Sequence, residues 1–326
     1  MGNDVLHAMF VSANKQYMPY LNALLNSIHK RELCKRVLFD VIVLEDGSIS
    51  DDYKEACQGF PFAVNFVRMD PEQAGLDPEW GSAWQCKAGR YFYIGELGKY
   101  YRTCCLMDAD LYIVTDQFAD LFRLVDNTWN ILGCNERIKW TITDIYKLDG
   151  EPLLPEKTRL DKFHCNVPLF LDVNEWQEVF ADYLKIVYRG LEHRDGQEKT
   201  IGDIYSWNIA VCRMKREDDV ILMGMPGMTQ VHRTGYRDKN CALQVTGDGY
   251  WTTGDGDQVY TLHCRPDKPA FRNVQHKDEF DAIGVDKNIY LRYVKAVEKE
   301  WLDLNFNYVV DLRDFQENKH WEKMGI

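Results

Sequence analysis

The chain has 326 residues, with 39 Lys plus Arg against 51 Asp plus Glu, so its formal charge is -12. At 45% hydrophobic and 28% charged residues it has the composition of a globular protein, which excludes a disordered chain, a collagen and a disulfide-stapled miniature. The acidic balance repels phosphate backbones and anionic membranes, and no basic patch stands out to overcome it, so no nucleic acid partner is expected.

The ten cysteines are scattered with no CxxC pair, which suits buried thiols in a reducing compartment. The start, MGNDVLHAMF, has no basic segment leading into an apolar run. ILMGMPGMTQV from Ile221 is far shorter than the roughly 18 residues of a membrane span. A cytoplasmic protein without a transmembrane segment is the expectation.

In chain order, residues 5–11 read as a buried strand, and residues 17–28 as a helix with Leu21, Leu24, Leu25 and Ile28 on one stripe. FDVIVLED at 39–46 is a second strand, 51–57 a short helix and 63–69 a third strand. Residues 71–81, with two prolines and two glycines, form a loop before a helix from Trp84 towards Tyr93. The apolar run CCLMDADLYIV at 104–114 is strand-like, and Asp116 is placed to cap the helix that follows it. Residues 129–134 make another strand, and the polar stretch with Gly150, Pro152 and Pro155 is expected to be exposed.

Residues 167–173 are apolar, and Trp176, Val179, Phe180, Tyr183, Leu184, Val187 and Tyr188 then mark an amphipathic helix. A helix over Ile204–Val211, a strand at 219–223 and a turn-rich region to Phe271 follow, with Leu291, Val294, Val297 and Trp301 on a last helical stripe. Strand–helix alternation predicts an α/β fold with a mostly parallel central sheet, helices on both faces and a small antiparallel C-terminal part. No repeat or linker divides the chain. Residues 1–275 read as one catalytic domain and 276–326 as a helical extension packed on it.

Asp108 and Asp110 interrupt a hydrophobic strand, which calls for an explanation. At i and i+2 in a strand, two carboxylates share a side, and a divalent cation relieves their repulsion; hard oxygen ligands suit Mn or Mg. A zinc site from Cys241, His263 and Cys264 lacks a fourth ligand at a structural spacing. No GxSxG, HExxH, P-loop or GxGxxG occurs.

Met107-Asp108-Ala109-Asp110 resembles the MDAD or LDAD segment of the family 8 retaining glycosyltransferases, the glycogenin and lipopolysaccharide galactosyltransferase group with the GT-A fold. SANKQYMPYLNALLNSI resembles that family's first nucleotide-binding loop and helix, with Asn14 in the loop and Tyr17 at the position of the base-facing tyrosine. The resemblance extends over most of residues 5–271. It implies a GT-A fold, a UDP-sugar donor and a Mn or Mg ion on Asp108 and Asp110, with Ala109 between them beside the donor. Lys87 and Arg90 in WQCKAGRYF occupy the place of a basic helix that meets the donor. GDIYSWN at 202–208 is similar to the family's GDQGILN, with Gly202, Asp203 and Asn208 in register and Ile204 in place of a glutamine. CNVPLFLDV resembles FNSGVFVY, matching Asn166, with Pro168 in place of a glycine.

HCRPDKPAF at 263–271 resembles the family's HFLGRVKPW, one residue shorter between His and Lys. It implies His263 as third metal ligand and Lys268 beside the diphosphate, while His232 in VHRTGYRDK competes for the ligand role. The activity implied is transfer of a hexose from UDP-glucose or UDP-galactose to a hydroxyl of a glycan, small molecule or protein. Asp203 serves there as nucleophile in a double displacement, or Asp203 and Asn166 orient the sugar in a same-face internal return, which the resemblance favours. Trp140, Tyr146, Tyr250, Trp251 and Phe271 are candidate stacking platforms for a sugar. Two other readings stand beside this one: a nucleotide-sugar binding module without turnover, and a metal-dependent nucleotidyltransferase or pyrophosphohydrolase.

Overall fold

The computed structural model describes residues 6–77, 79–80, 82–126, 130–135, 140–142, 145–155, 158–160, 162, 164–194, 196–223, 229–230, 244–245, 251–252, 258–263 and 299–315. It opens with β1 (His7–Ala13), α1 (Met18–Lys30), β2 (Phe39–Glu45), α2 (Asp51–Ala56), β3 (Val64–Arg68) and α3 (Ser82–Leu97). Next come β4 (Thr103–Asp108), β5 (Leu111–Ile113), α4 (Asp120–Val125), β6 (Ile131–Asn135), β7 (Trp140–Ile142), β8 (Tyr146–Leu148), β9 (Glu151–Pro152) and β10 (Thr158–Leu160). β11 (His164–Leu171), α5 (Gln177–Arg189), β12 (Gly190–Arg194), β13 (Gln197–Thr200) and α6 (Asp203–Arg213) follow. β14 (Val220–Met223), β15 (Thr229–Gln230), β16 (Gln244–Val245), β17 (Trp251–Thr252) and β18 (Thr261–His263) complete the strands.

The central sheet has seven strands in the order β14-β6-β11-β4-β1-β2-β3. All its pairings are parallel except those of β11, which runs antiparallel to β4 and β6. Period-two alternation explains why the strands read as unbroken apolar runs: each feeds two cores. Met9, Val11, Val41, Val43, Cys105 and Met107 face the layer with α1, α2 and α4. Ala8, Phe10, Ile42, Leu44, Cys104 and Leu106 face the layer with α3, α5 and α6. One polar substitution at any of these positions therefore meets a dry core on its own face.

Gly150, Pro152 and Pro155 are exposed, as expected, but the stretch around them is not a bare loop. It supplies β8 and β9 to a four-stranded antiparallel sheet, β13-β12-β8-β9, and Tyr146, Leu153 and Leu154 are buried in the same core as α5 and α6. Leu148 pairs with Glu151 across a two-residue loop in which Asp149 (φ 52°) and Gly150 (φ 86°) are both left-handed. Such a turn favours Asp-Gly, and the same dipeptide stands between Arg194 and Gln197, which pair in the β12–β13 hairpin. The cap expected of Asp116 is made instead by Thr115, whose side chain accepts from Gln117 N–H; Asp116 pairs with Arg36.

A helical segment at 299–306 packs on α1, burying Trp301 and Leu304 in the first core. The stripe positions Leu291, Val294 and Val297 lie outside the described residues. Asn22 Nδ2 donates to Asn305 Oδ1 and Val310 O, both at 3.1 Å, and Asn26 Nδ2 donates to Leu304 O at 2.8 Å. The buried amide N–H groups of Asn22 and Asn26 on α1 thus find carbonyl and amide acceptors.

His7, 8% exposed at the start of β1, leans on Phe122, and its Nδ1 has no hydrogen-bond partner among the described residues. Burial pushes its pKa below the ordinary 6.5, and Asp126 only partly opposes this. Well above pH 6.5 both states are neutral; as the pH drops through 6.5 the unfolded chain takes up the proton first, so stability is lost as the pH falls. The expected result is a melting temperature that drops below pH 6.5, with a smaller drop in His7→Phe, checked by calorimetry across pH 5 to 8.

Candidate functional site

In a sheet of this kind a crevice opens beyond the carboxyl ends of the strands where the chain reverses its direction of growth. Here that point lies between β1 and β4, because β2 and β3 extend the sheet to one side and β4 and β11 to the other. The resemblance-matched residues at the ends of β1 and β4 gather there. Asn14 follows β1, and its Oδ1 accepts from Gln16 N–H at 3.0 Å and Tyr17 N–H at 3.2 Å, which starts the turn into α1. Lys15 N–H donates to Ser48 Oγ at 2.8 Å, tying this loop to the one after β2. Glu45 ends β2, 2% exposed, and accepts from Gly47 N–H and Lys54 Nζ, so its charge is spent inside the protein. Gly47 holds φ at 88°, a left-handed conformation glycine adopts without strain.

Asp108 is the last residue of β4 and pairs in register with Ser12 of β1. The strand ends there: Ala109 and Asp110 form a turn, and β5 starts at Leu111. Asp110 is therefore placed by a tight turn after the strand end and not by the i, i+2 alternation of a continuous strand. Asp110 is 7% exposed and the Asp108 side chain 36%, so one acid faces inward and the other opens on the crevice.

Of the two bases expected on α3, the structure separates their roles. Lys87 is exposed, whereas Arg90 is 1% exposed and reaches Asp108 and, at the start of α6, Asp203. Its Nη1 donates to Asp108 Oδ1 at 2.5 Å and its Nη2 to Asp203 Oδ2 at 3.2 Å. Burial works against the guanidinium charge, yet Asp108, then Tyr91 and Asp203, outweigh it and hold Arg90 protonated above its ordinary range. Beneath it lie the rings of Tyr91, with its centroid 5.3 Å from Cζ, and Tyr183, 4.0 Å from Tyr91. Burial pushes the Tyr183 phenol well up, so it is neutral, and its hydroxyl has no hydrogen-bond partner among the described residues. A buried cation thus bridges two carboxylates over an aromatic floor.

Asp203 opens α6 with Gly202 as its cap residue. Asn208 is 3% exposed, its Nδ2 donating to Ile204 O at 2.8 Å, and Ile204 packs on the second core. Tyr146, expected as a stacking platform, is 3% exposed and stacks on Tyr205, so it has no face left for a sugar. Asn166 lies in the irregular part of β11 between Cys165 and Leu169, with its side chain outside the described residues, as are those of Trp140 and Trp251. His232, Tyr250, Lys268 and Phe271 lie wholly outside them.

His263 ends β18 and stands opposite Leu111, one residue beyond Asp110. The backbone therefore brings a histidine of the distal chain to the acid pair, although its side chain is not among those described. Among the described residues no three acid, histidine or cysteine side chains form a metal cluster. The donor chemistry fits a divalent ion: two carboxylates on one turn and an imidazole-bearing residue across a strand pair.

Sequence reasoning singled out Arg90 only as one of two helix bases, and it missed Tyr91 and Tyr183. The signal for Tyr91 was spacing: Lys87, Arg90 and Tyr91 lie within about one helical turn of each other, ahead of the acid pair.

No family model and no curated protein matches the sequence. Among solved structures the chain is similar to the galactosyltransferase LgtC in complex with donor and acceptor sugar analogues. They share 16% identity over 88% of this chain and 99% of that one, with a TM-score of 0.52. It also matches an active-site mutant of LgtC, at 15% identity, 86% and 98% coverage and a TM-score of 0.48. The bifunctional glycosyltransferase WbbM matches at 14% identity and a TM-score of 0.47; this chain, covered over 91%, spans 45% of that one. The first comparison establishes the fold: the mixed seven-stranded sheet is that of the GT-A glycosyltransferases.

Proposed function

We propose that the protein is a metal-dependent glycosyltransferase that moves a hexose from a nucleoside diphosphate sugar, UDP-glucose or UDP-galactose, to an acceptor hydroxyl with retention. The observation that carries this reading is the bridge from Asp108 through buried Arg90 to Asp203 at the switch point of a GT-A sheet. It joins the strand-end acid motif to the acid that opens α6.

Asp108, Asp110 and His263 hold Mn or Mg in this reading, with His232 as the competing third ligand. When bound, the ion neutralises charge that develops on the leaving diphosphate. Lys268 and exposed Lys87 supply further positive charge to the phosphates. Asn14 and Tyr17, after β1, line the base and ribose end, and Ala109 packs beside the donor. A carboxylate already bonded to a buried guanidinium is a poor nucleophile, so Asp203 and Asn166 act by accepting from and donating to sugar hydroxyls. That assignment favours a same-face internal return over double displacement. The acceptor is a glycan, a small molecule or a protein; no described helix is long and apolar enough to cross a membrane.

A second reading, a nucleotide-sugar binding module without turnover, draws on Ile204, whose side chain joins the core where the resemblance has an amide. Incubation with UDP-glucose or UDP-galactose and Mn separates the possibilities. The proposal expects slow release of UDP and free hexose that stops on chelation. UMP as product indicates a pyrophosphohydrolase, and Mn-dependent binding without turnover across varied acceptors indicates the module.

A further inference from the structure

β5 is three residues long, yet it links the acid turn to β18. One edge pairs with β18, with Ile113 opposite Thr261 and Leu111 opposite His263, and Val114 N–H continues the ladder to Tyr260 O at 3.0 Å. Ile113 N–H points the other way and donates to Ser27 Oγ of α1 at 3.0 Å. Ser27 is fully buried, and its own hydroxyl donates to Leu24 O at 2.6 Å, so its proton is committed and a lone pair faces β5.

The alternation of the ladder follows. With Ile113 N–H directed away from β18, Ile113–Thr261 is a non-hydrogen-bonded pair, and so is Leu111–His263 two residues on. Such pairs bring their Cα atoms to about 4.5 Å, closer than hydrogen-bonded ones. The approach of His263 to the turn holding Asp110 therefore depends on which way β5 faces, and Ser27 fixes that from the far edge.

We infer that Ser27 is a positioning residue for the metal site: it holds β5 so that Asp110 and His263 stay at a fixed separation. The inference rests on the metal reading of the proposed function, and Ser27 itself touches neither metal nor donor. A serine inside a helix often does no more than bond the carbonyl three or four residues back. What distinguishes this one is the second bond, which leaves the helix.

The test uses the full chain and manganese alone, titrated by electron paramagnetic resonance, with amide exchange at Ile113 followed in parallel. Ser27→Ala is expected to speed Ile113 exchange and to weaken Mn binding about tenfold, the lower end for partners that orient metal ligands. Tyr53→Phe is the control: it removes a hydroxyl that donates to Asn22 Oδ1 at 3.3 Å, on the same helix but away from β5. It is expected to leave Mn affinity within about twofold, since sites without shared partners act independently. Wild-type binding that Ser27→Ala leaves unchanged overturns the inference alone, as does equal weakening by Tyr53→Phe. A wild-type chain that binds no Mn overturns the metal reading, and this inference with it.

Discussion

Asp108→Asn is expected to lower Mn-dependent release of UDP by about 10³-fold or more while the chain still folds. The amide oxygen can keep the bond from Arg90 Nη1 that Asp108 Oδ1 now accepts at 2.5 Å, so packing survives. What disappears is a formal charge at the crevice, and single groups that stabilise developing charge are worth about 10²- to 10³-fold even without a metal. Steady-state kinetics with a UDP-sugar, beside a thermal melt, checks both halves. A variant within about tenfold of wild type would remove Asp108 from the metal site, since a group at the developing charge cannot be lost so cheaply.

Arg90→Met has the other large effect, and it falls on folding as well as turnover. Arg90 is 1% exposed and its side chain is the shared partner of Asp108 and Asp203. Removing one member of a buried charged set costs about 3 kcal/mol, because the remaining charges lose their compensation and stay desolvated. Asp108 is partly open to water, which keeps the expected loss near that lower value. Arg90→Lys should not restore function, because one ammonium cannot span both carboxylates as the planar guanidinium does. Urea denaturation gives the stability change, and a cycle with Asp203→Asn should show a coupling of about 1–3 kcal/mol between contacting residues. Additive effects would mean that the bridge is not a unit.

Much of the architecture was legible because strands buried on both faces read as apolar runs, and because α1 and α5 carry clear stripes. The four-stranded antiparallel sheet was not, although Asp149-Gly150 and the dipeptide at 195–196 announced two hairpins. Short strands rich in Glu, Lys and Arg carry no hydrophobic period, so only the turn residues give them away. At the site, the acid pair was legible but its geometry was not: Asp110 lies beyond the strand end, in a turn that composition does not reveal. The choice between Lys87 and Arg90 needed burial, which spacing on one helix turn cannot supply. Tyr146 read as a sugar platform because an aromatic side chain looks the same in sequence whether its faces are covered or open; Tyr205 covers it.

Ser27, Asn22 and Asn26 carry a general point about α1. Polar residues on an otherwise apolar helix face are costly unless partnered, and here the partners lie on other elements: β5 for Ser27, and the 299–306 helix and Val310 after it for both Asn22 and Asn26. They tie the far end of the chain to the strand that leaves the acid turn.

A nucleotide sugar gripped through a divalent ion at the end of β4 is the centre of the proposed function. Calorimetric titration of the protein with UDP-, GDP- and ADP-sugars, each with and without Mn, tests this directly. Saturable binding of a UDP-hexose that requires Mn and is lost in Asp108→Asn is the expected result. Absence of binding to any of these sugars in the presence of Mn would contradict it, and would leave the fold without the function proposed for it.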